Sequence, residues 1–419
     1  MKIHELKQRY KLLGPGLVWA GAAIGVSHLI QSTRAGANYG FSLLWIVVVA
    51  NFFKYAAFEF GPRYASVMKE SLLDGYLRIG RWALVVFLIM TFGTMFSIHA
   101  AVTIVTAGLA SQVFGIALTP FLWSLLITFV CVLLMITSKY AMLDKAIKGI
   151  IIVLTLTTLF SVGAVVSQGA WVDKNFANVE IWTVSGIAFM VAFIGWMPSP
   201  IDVSVWHSLW SLEKFKISKE SSTLKEALFD FRIGYYGTAI FGLAFLSLGA
   251  LVMYGHPEGF SPKGAVFAGQ FIQLYTSSLG QWSWPIVATA ALATMFSTTL
   301  TVTDAFPRVL TRATELMTSM KSDKEKKQLY WFWMAVVIAG SLSILAFFLK
   351  GMTILVDIAT TLSFVTAPVL AYLNHRVITG EWMPKEGRPS PKLLFLSKLS
   401  ICVLSIFTLY FIYWRFILN

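Results

Sequence analysis

The chain has 419 residues, 57% of them hydrophobic and only 13% charged, with a net charge of +13 and a mean hydropathy of +0.73. So little polar surface excludes a water-soluble globule of this size. The alternating ten-residue segments of a membrane barrel are absent, so the prediction is an all-α integral membrane protein.

A bilayer-crossing helix needs about 20 apolar residues, and on that length the chain predicts eleven spans. They centre near Ala22, Val48, Thr103, Thr128, Leu156, Met190, Ala244, Thr289, Ile338, Ser363 and Leu404. The first span follows Lys2, Lys7, Arg9 and Lys11. It is read as a retained helix, because no small-residue cleavage site follows it and ten more spans do. Cys131 and Cys402 both sit in apolar runs and suggest neither a disulfide framework nor a metal site.

The basic residues alternate with the loops. Arg63, Lys69, Arg78 and Arg81 follow span two, Lys214, Lys216, Lys225 and Arg232 lie between spans six and seven, and Arg308, Arg312, Lys324, Lys326 and Lys327 lie between eight and nine. Arg376, Lys385, Arg388, Lys392 and Lys398 lie around the connection from ten to eleven, whereas the opposite side carries Arg34, Lys174, Lys263, Lys350 and Arg415. The positive-inside rule then predicts a multi-pass protein of the plasma (bacterial inner) membrane, with a cytoplasmic N-terminus and an external C-terminus. The charge is topological, so no nucleic-acid partner is expected. Trp171, Trp182, Trp282 and Trp284 fall where an outer aromatic belt would place them. The polar stretch "EKFKISKESSTLK" from Glu213 to Lys225 divides a single transmembrane domain. Residues 1–212 hold the first half and span six, and residues 213–419 hold the rest.

Spans one and six carry the same irregularity. "AAIGVSHLIQS" and "AFIGWMPSPIDVSVWHS" both place Ile-Gly at mid-membrane, followed by polar, helix-interrupting residues. In span six, Pro198 and Pro200 remove backbone donors and predict an opening around Gly195 to Pro200. Ser199 is then placed as N-cap of the next helix, Pro200 at its first position and Asp202 at the third, where a capping box puts its acid. In span one, Gly25 supplies flexibility and Ser27 a cap. Interrupted helices at matching places in two halves mark a transporter's substrate site, with half-helix N-termini offering unpaired N–H groups and partial positive charge.

"GPGLVWAGAAIG" at Gly14, "GANYGFSLLWIVVVAN" at Gly36, "KYAMLDKAIKGIIIVL" at Lys139, and Met197-Pro198 with His207-Ser208 resemble the NRAMP family of proton-coupled divalent-metal transporters. The resemblance covers nearly the whole chain. It implies a LeuT-like fold of two inverted five-helix repeats plus an eleventh helix. The family's metal chemistry does not carry over residue by residue. The Asp-Pro-Gly-Asn turn that holds the ion falls here on Gly25, Val26, Ser27 and His28, and the Met-Pro-His run is Met197-Pro198 followed by Ser199-Pro200. The third span reads "SIHAAVTIVTAG", with His99 near the place of a family carboxylate and no acid in the run.

A dehydrated divalent cation needs the compensating charge that a carboxylate supplies. Asp202 with His28 could still form a metal site, although the capping pattern explains Asp202 without a ligand. His28 lies in the opened part of span one and is read as either a substrate contact or a polar core group. His99 is expected to bond a neighbouring helix. Arg34 is an interfacial anchor or a lure for anions at the vestibule, and Lys54 is expected to pair with an acid, Glu59 or one across the bundle. Asp304 and Arg308 read as an i,i+4 pair. Ser297, Thr298 and Thr299 in "ATMFSTTLTVTD" are backbone-bonded helix residues or, as in transporters similar to LeuT, oxygen ligands that hold sodium with carbonyls near Ala23.

These residues predict a secondary active transporter that couples sodium to a small anion such as bicarbonate. The substrate-binding set is Gly25, Ser27, His28, Gly195, Ser199, Pro200 and Asp202, and the sodium set Ala23, Ser297, Thr298 and Thr299. Arg34, Lys54 and His99 are placed on the pathway. The alternative is a divalent-cation transporter of altered selectivity that uses Asp202 and His28. An enzyme is excluded by the lack of any nucleophile, base and orienter set or cofactor motif, and no obligate protein partner is expected.

Overall fold

The computed structural model describes residues 14–137, 140–169, 179–218, 223–256, 259–318, 320, 322–348 and 351–415. Lys2, Lys7, Arg9, Lys11, Lys139, Trp171, Lys174, Lys350 and positions 219–222 of the middle connection lie outside these residues.

The first span is α1 (Pro15–Ala23), a π-helical turn (Val26–Ser32) and α2 (Thr33–Tyr39). Spans two to five are α3 (Leu44–Met68), α5 (Arg81–Phe114), α6 (Pro120–Ile136) and α7 (Tyr140–Gln168), with a short amphipathic α4 (Leu72–Ile79) between two and three. The sixth span is α8 (Val184–Trp196) and α9 (Val203–Ser218). Span seven is α10 (Leu224–Met253), followed by a further helix α11 (Gly264–Leu279), and span eight is α12 (Trp284–Thr318). Spans nine to eleven are α13 (Asp323–Phe347), α14 (Met352–Thr379) and α15 (Pro391–Tyr413). All eleven predicted spans are present, and each half of five opens with an interrupted helix.

Burial follows from this layout. The breaks sit at the centre of the bundle, where Trp19, Ile24, Leu29, Trp196, Ile201 and Trp206 are buried in one core. The outer helices show apolar side chains to the surroundings, as lipid-facing helices should, with Phe129, Phe160 and Phe407 exposed. Trp182 and Trp282 are exposed at span ends, as an aromatic belt requires. Cys131 is buried and Cys402 exposed, both unpaired.

Some backbone groups freed at helix ends are met by side chains, either local or from other elements, because no water is available to meet them in hydrocarbon. Asp230 of α10 accepts from the Gly14 and Gly16 amides at 3.0 and 2.7 Å and so caps α1 from across the bundle. Helix α4 carries its own capping box, with Ser71 and Asp74 bonded reciprocally.

Candidate functional site

In span one the helix stops at Ala23. Ile24 and Gly25 leave helical geometry, with Gly25 at φ −141° and ψ −127°. The amides of Val26 and Ser27 stand at the head of the following turn, where no preceding carbonyl accepts them. Ser27 does not cap that turn. Its Oγ points back to the Ala23 carbonyl at 2.6 Å and lies 2.7 Å from His28 Nδ1, because the π-helical winding rotates it toward α1. The fully buried His28 has Nε2 3.0 Å from the Thr238 carbonyl of α10 and Nδ1 2.9 Å from the Ala23 carbonyl. Both ring nitrogens face carbonyl acceptors, so an N–H at Nε2 donates to Thr238, while the single Ser27 hydroxyl hydrogen goes to the Ala23 carbonyl. His28 thus ties the break of span one to span seven.

In span six, α8 ends at Trp196 and α9 begins at Val203, so the opening is centred slightly later than predicted, and the Met197–Pro198 peptide is cis. The predicted register of the second half-helix is also shifted. Ser199 and Pro200 lie in the unwound segment, and Asp202, not Ser199, immediately precedes the helix. With two prolines two residues apart, the first helical bonds can close only from Val203 onward, and they do, onto the Pro200 and Ile201 carbonyls. The Ser199 and Ile201 amides have no acceptor among the described residues.

The carbonyl end of the same break is filled. Lys54 of α3 is fully buried, and its Nζ donates to the Ile194, Gly195 and Ser199 carbonyls at 2.6, 2.8 and 3.3 Å. The expected pairing of Lys54 with Glu59 is therefore corrected. One helical turn on, Glu59 is bound to Arg63 at 2.6 Å and Tyr55 at 2.6 Å, while Lys54 projects into the bundle and meets the C-terminal end of α8, where the helix dipole is negative. Asp202 is buried, has no salt-bridge contact with Lys54 among the described residues, and leaves Oδ1 without a hydrogen-bond partner. Gly195 is needed here by close approach, since a Cβ on it would collide with the Thr360 carbonyl of α14.

Between the two breaks lies a cavity of about 30 Å³, lined by Ala22, Ala23, Val26 and Ser27 of span one and by Trp196, Ser199, Pro200, Val203 and Trp206 of span six. Ile98 and Val102 of α5 and Thr298 and Val302 of α12 complete it. At 10–15 Å³ per water molecule, it has room for about two. The walls are mostly apolar.

Of the predicted substrate set, Ser27, Ser199 and Pro200 line this cavity, while Gly25, His28, Gly195 and Asp202 do not. Gly25 abuts Thr298, so that a Cβ added there would lie 2.7 Å from Thr298 Oγ1. Met197 turns away and packs with Val47, Phe193 and Leu246, and its sulfur faces Gly242. Of the predicted sodium set, Ala23 and Thr298 face the cavity, with Thr298 Oγ1 3.1 Å from the Thr294 carbonyl and 3.5 Å from that of Gly21. Thr299 bonds Thr106 of α5 at 2.7 Å, and Ser297 is half-buried beside it. Among the described residues, no group of three or more His, Cys, Asp or Glu side chains converges on one point.

On the side opposite the basic loops, Arg34 grips Asp357 of α14 with two bonds of 2.7 and 3.0 Å, and Gln31 bonds both partners. The Arg34 guanidinium also lies over the Phe189 ring of α8, 5.1 Å from its centroid. Arg34 is thus neither a free anchor nor an open lure but a clamp joining spans one, six and ten. Asp357 was missed at the sequence level, although a lone acid inside an apolar run is itself a signal. At the basic end, a cavity of about 850 Å³ is lined by residues of both charge signs, among them Lys69, Glu213, Arg308 and Arg312. Asp304 and Arg308 form the predicted i,i+4 pair at 3.0 Å. His99 bonds Thr303 of α12 at 3.0 Å and leaves Nδ1 unpartnered.

This architecture has counterparts of known family. The pattern of the family described as "Natural resistance-associated macrophage protein-like" matches residues 16–413. The chain is 35% identical over 411 residues to the uncharacterized protein PM0681 of Pasteurella multocida strain Pm70, spanning 96% of this chain and 92% of that protein. Among solved structures, a point variant of the Eremococcus coleocola manganese transporter superposes with a TM-score of 0.70 at 15% identity, over 95% of this chain and 85% of that one. MhsT in complex with L-phenylalanine superposes with a TM-score of 0.58 at 14% identity, over 94% and 98%. The chain belongs to the NRAMP family and is a multi-pass membrane transporter of LeuT-like fold.

Proposed function

We propose that this transporter carries a small anion, bicarbonate being the best match, in symport with sodium, and that its metal site has been dismantled. The observation that carries the reading is the placement of Lys54. The carbonyls at the end of α8, which would otherwise be available to a cation, already hold its ammonium. The unsatisfied backbone groups around the cavity are instead N–H donors, at Val26, Ser27 and Ser199. Two half-helix N-termini directed at one small cavity favour negative charge. Lys54 offsets the buried Asp202 carboxylate, so the pair adds no net charge to repel an anion.

Sodium would lie beside Thr298 and Ala23 at the cavity, with the Gly21 carbonyl as a further hard oxygen donor. It would compensate the anion and supply the gradient. The orientation that accompanies this reading puts the basic end in the cytoplasm. Gly25 supports it from the other direction. Thr298 occupies the space that an acidic side chain at that position would need.

One observation favours the second reading, a divalent cation carried with altered selectivity: the Asp202 Oδ1 atom is buried and unpartnered. The two are separated by uptake into proteoliposomes of labelled bicarbonate and of labelled manganese, each with and without an inward sodium gradient. Sodium-driven bicarbonate uptake without manganese movement is the expected result. Manganese uptake indifferent to sodium, abolished by Asp202→Ala, would overturn it.

A further inference from the structure

A second cavity, of about 700 Å³, lies on the outside of the bundle between α3, α10 and the start of α15. Its long wall is apolar and open to the surroundings, with Val48, Phe52 and Tyr236 each more than half exposed. From Val47 to Arg63, α3 lines it over about 24 Å of helix, which exceeds the roughly 15 Å of one hydrocarbon leaflet. A soluble partner cannot reach a surface at that depth. An acyl chain can.

One end of the groove is charged. Arg63, Arg232 and Lys392 meet there at the points where α3, α10 and α15 pass from polar to apolar sequence, with Glu59 as the one carboxylate lining the groove. Glu59 is consumed by Arg63, through bonds of 3.1 and 2.6 Å, and by the Tyr55 hydroxyl at 2.6 Å. Arg232 shares Glu59 at 3.6 Å, donates to the Tyr55 hydroxyl at 3.1 Å and is half exposed, and Lys392 has no carboxylate partner among the described residues. Ser390, the N-cap of α15, completes that end with a hydroxyl. Three cations thus share one carboxylate at a membrane boundary, a net positive charge directly above an apolar groove.

We propose that this groove is a binding site for one anionic phospholipid. Its phosphate is held by Arg232 and Lys392 with Ser390, and one acyl chain lies along Val48, Phe52 and Tyr236. The charge complementarity selects the headgroup and the groove selects the lipid over a free anion. Basic pockets between spanning helices bind anionic headgroups with about 1 kcal/mol per basic residue, so two such residues set an expected preference of about thirty-fold over a zwitterionic lipid. Occupancy also has a structural target. Tyr235 of α10 donates to the Asn51 carbonyl of α3 at 2.6 Å just inside the groove, so a lipid across these helices braces the elements that carry Lys54 and the Thr238 carbonyl.

The test uses the full chain, delipidated and exposed to equal phosphatidylglycerol and phosphatidylcholine, with retained lipid counted by native mass spectrometry and thermal unfolding followed in parallel. The expected result is one retained phosphatidylglycerol in preference to phosphatidylcholine, with a raised Tm. In the double variant Arg232→Gln/Lys392→Gln the preference should fall at least tenfold, with the Tm in pure phosphatidylcholine unchanged. Both side chains are exposed, and Glu59 keeps its bonds from Arg63 and Tyr55, so the variant leaves the carboxylate of the groove paired. Equal retention of the two lipids, an undiminished preference in the double variant, or an equal Tm rise with inorganic phosphate alone would each overturn the proposal. None of these outcomes bears on which ion is transported.

Discussion

The two interrupted helices solve one problem by different means. In span one the freed carbonyl of Ala23 is met by neutral groups, the Ser27 hydroxyl and the Gly25 amide, with His28 pinning the turn to span seven. In span six the freed carbonyls are met by a formal charge, the Lys54 ammonium, with Asp202 nearby and only partly satisfied. The neutral break can be reshaped at the cost of a hydrogen bond or two. The charged break is less tolerant, because removing Lys54 leaves three carbonyls and the buried Asp202 without its charge in low dielectric. Selectivity should therefore be more sensitive at span six than at span one.

The largest expected effect follows directly. Lys54→Met should abolish bicarbonate uptake and cost about 3–5 kcal/mol of stability, since it leaves three carbonyls and a carboxylate uncompensated. Lys54→Met/Asp202→Asn should recover most of that stability without recovering transport. Thermal unfolding of the two variants beside uptake assays gives the coupling between the residues. Additive losses would mean that the charge at span six is not balanced by Asp202, and the contrast between the breaks would lapse.

Next in size is Gly25→Asp, which restores at span one the acid that the NRAMP resemblance implies. The new side chain meets Thr298 Oγ1 at 2.7 Å, and overpacking of this kind costs about 1–3 kcal/mol. Uptake of bicarbonate should be lost, and adding Thr298→Ala should relieve the strain. Manganese uptake should still be absent in the pair, because Lys54 continues to hold the α8 carbonyls. Manganese transport by Gly25→Asp/Thr298→Ala would show that span one, not span six, decides the ion.

Arg34→Gln should act on access instead of selectivity. It breaks the clamp from span one to Asp357, which is about one-third exposed, so the screened pair contributes only about 1 kcal/mol. Its loss should raise the rate at which a thiol reagent modifies Thr360→Cys in a Cys402→Ser background. An unchanged labelling rate would mean that the clamp is not what closes that side.

Most of the fold was legible in the sequence because lipid imposes a length and an apolar pattern on each span, and because the paired Pro198 and Pro200 and the polar run after Gly25 interrupt two of them, although single prolines such as Pro62 and Pro368 sit inside continuous helices. The site was legible to the level of which segments meet, not which atoms. Lys54 reads as needing a partner, but a carbonyl end of a half-helix carries no sequence letter, so the nearby Glu59 looked like the answer. Ser27 reads as a cap only if the turn is α-helical, and the π winding of Val26–Ser32 reverses its direction. The Arg34–Asp357 pair joins residues 323 positions apart, a separation at which a single sequence carries no pairing information.

The smallest effect is expected where the sequence drew most attention. His28 is fully buried and does not line the cavity, and its contacts are to backbone carbonyls and to Ser27. His28→Gln should therefore cost about 1–2 kcal/mol, the scale of one or two net hydrogen bonds, and lower the Tm while leaving the KM for bicarbonate within about twofold. Because the neutral break tolerates such a change, the sodium dependence should also persist. A KM raised more than tenfold at an unchanged Tm would place the imidazole in contact with the ion, and span one would then carry selectivity as directly as span six.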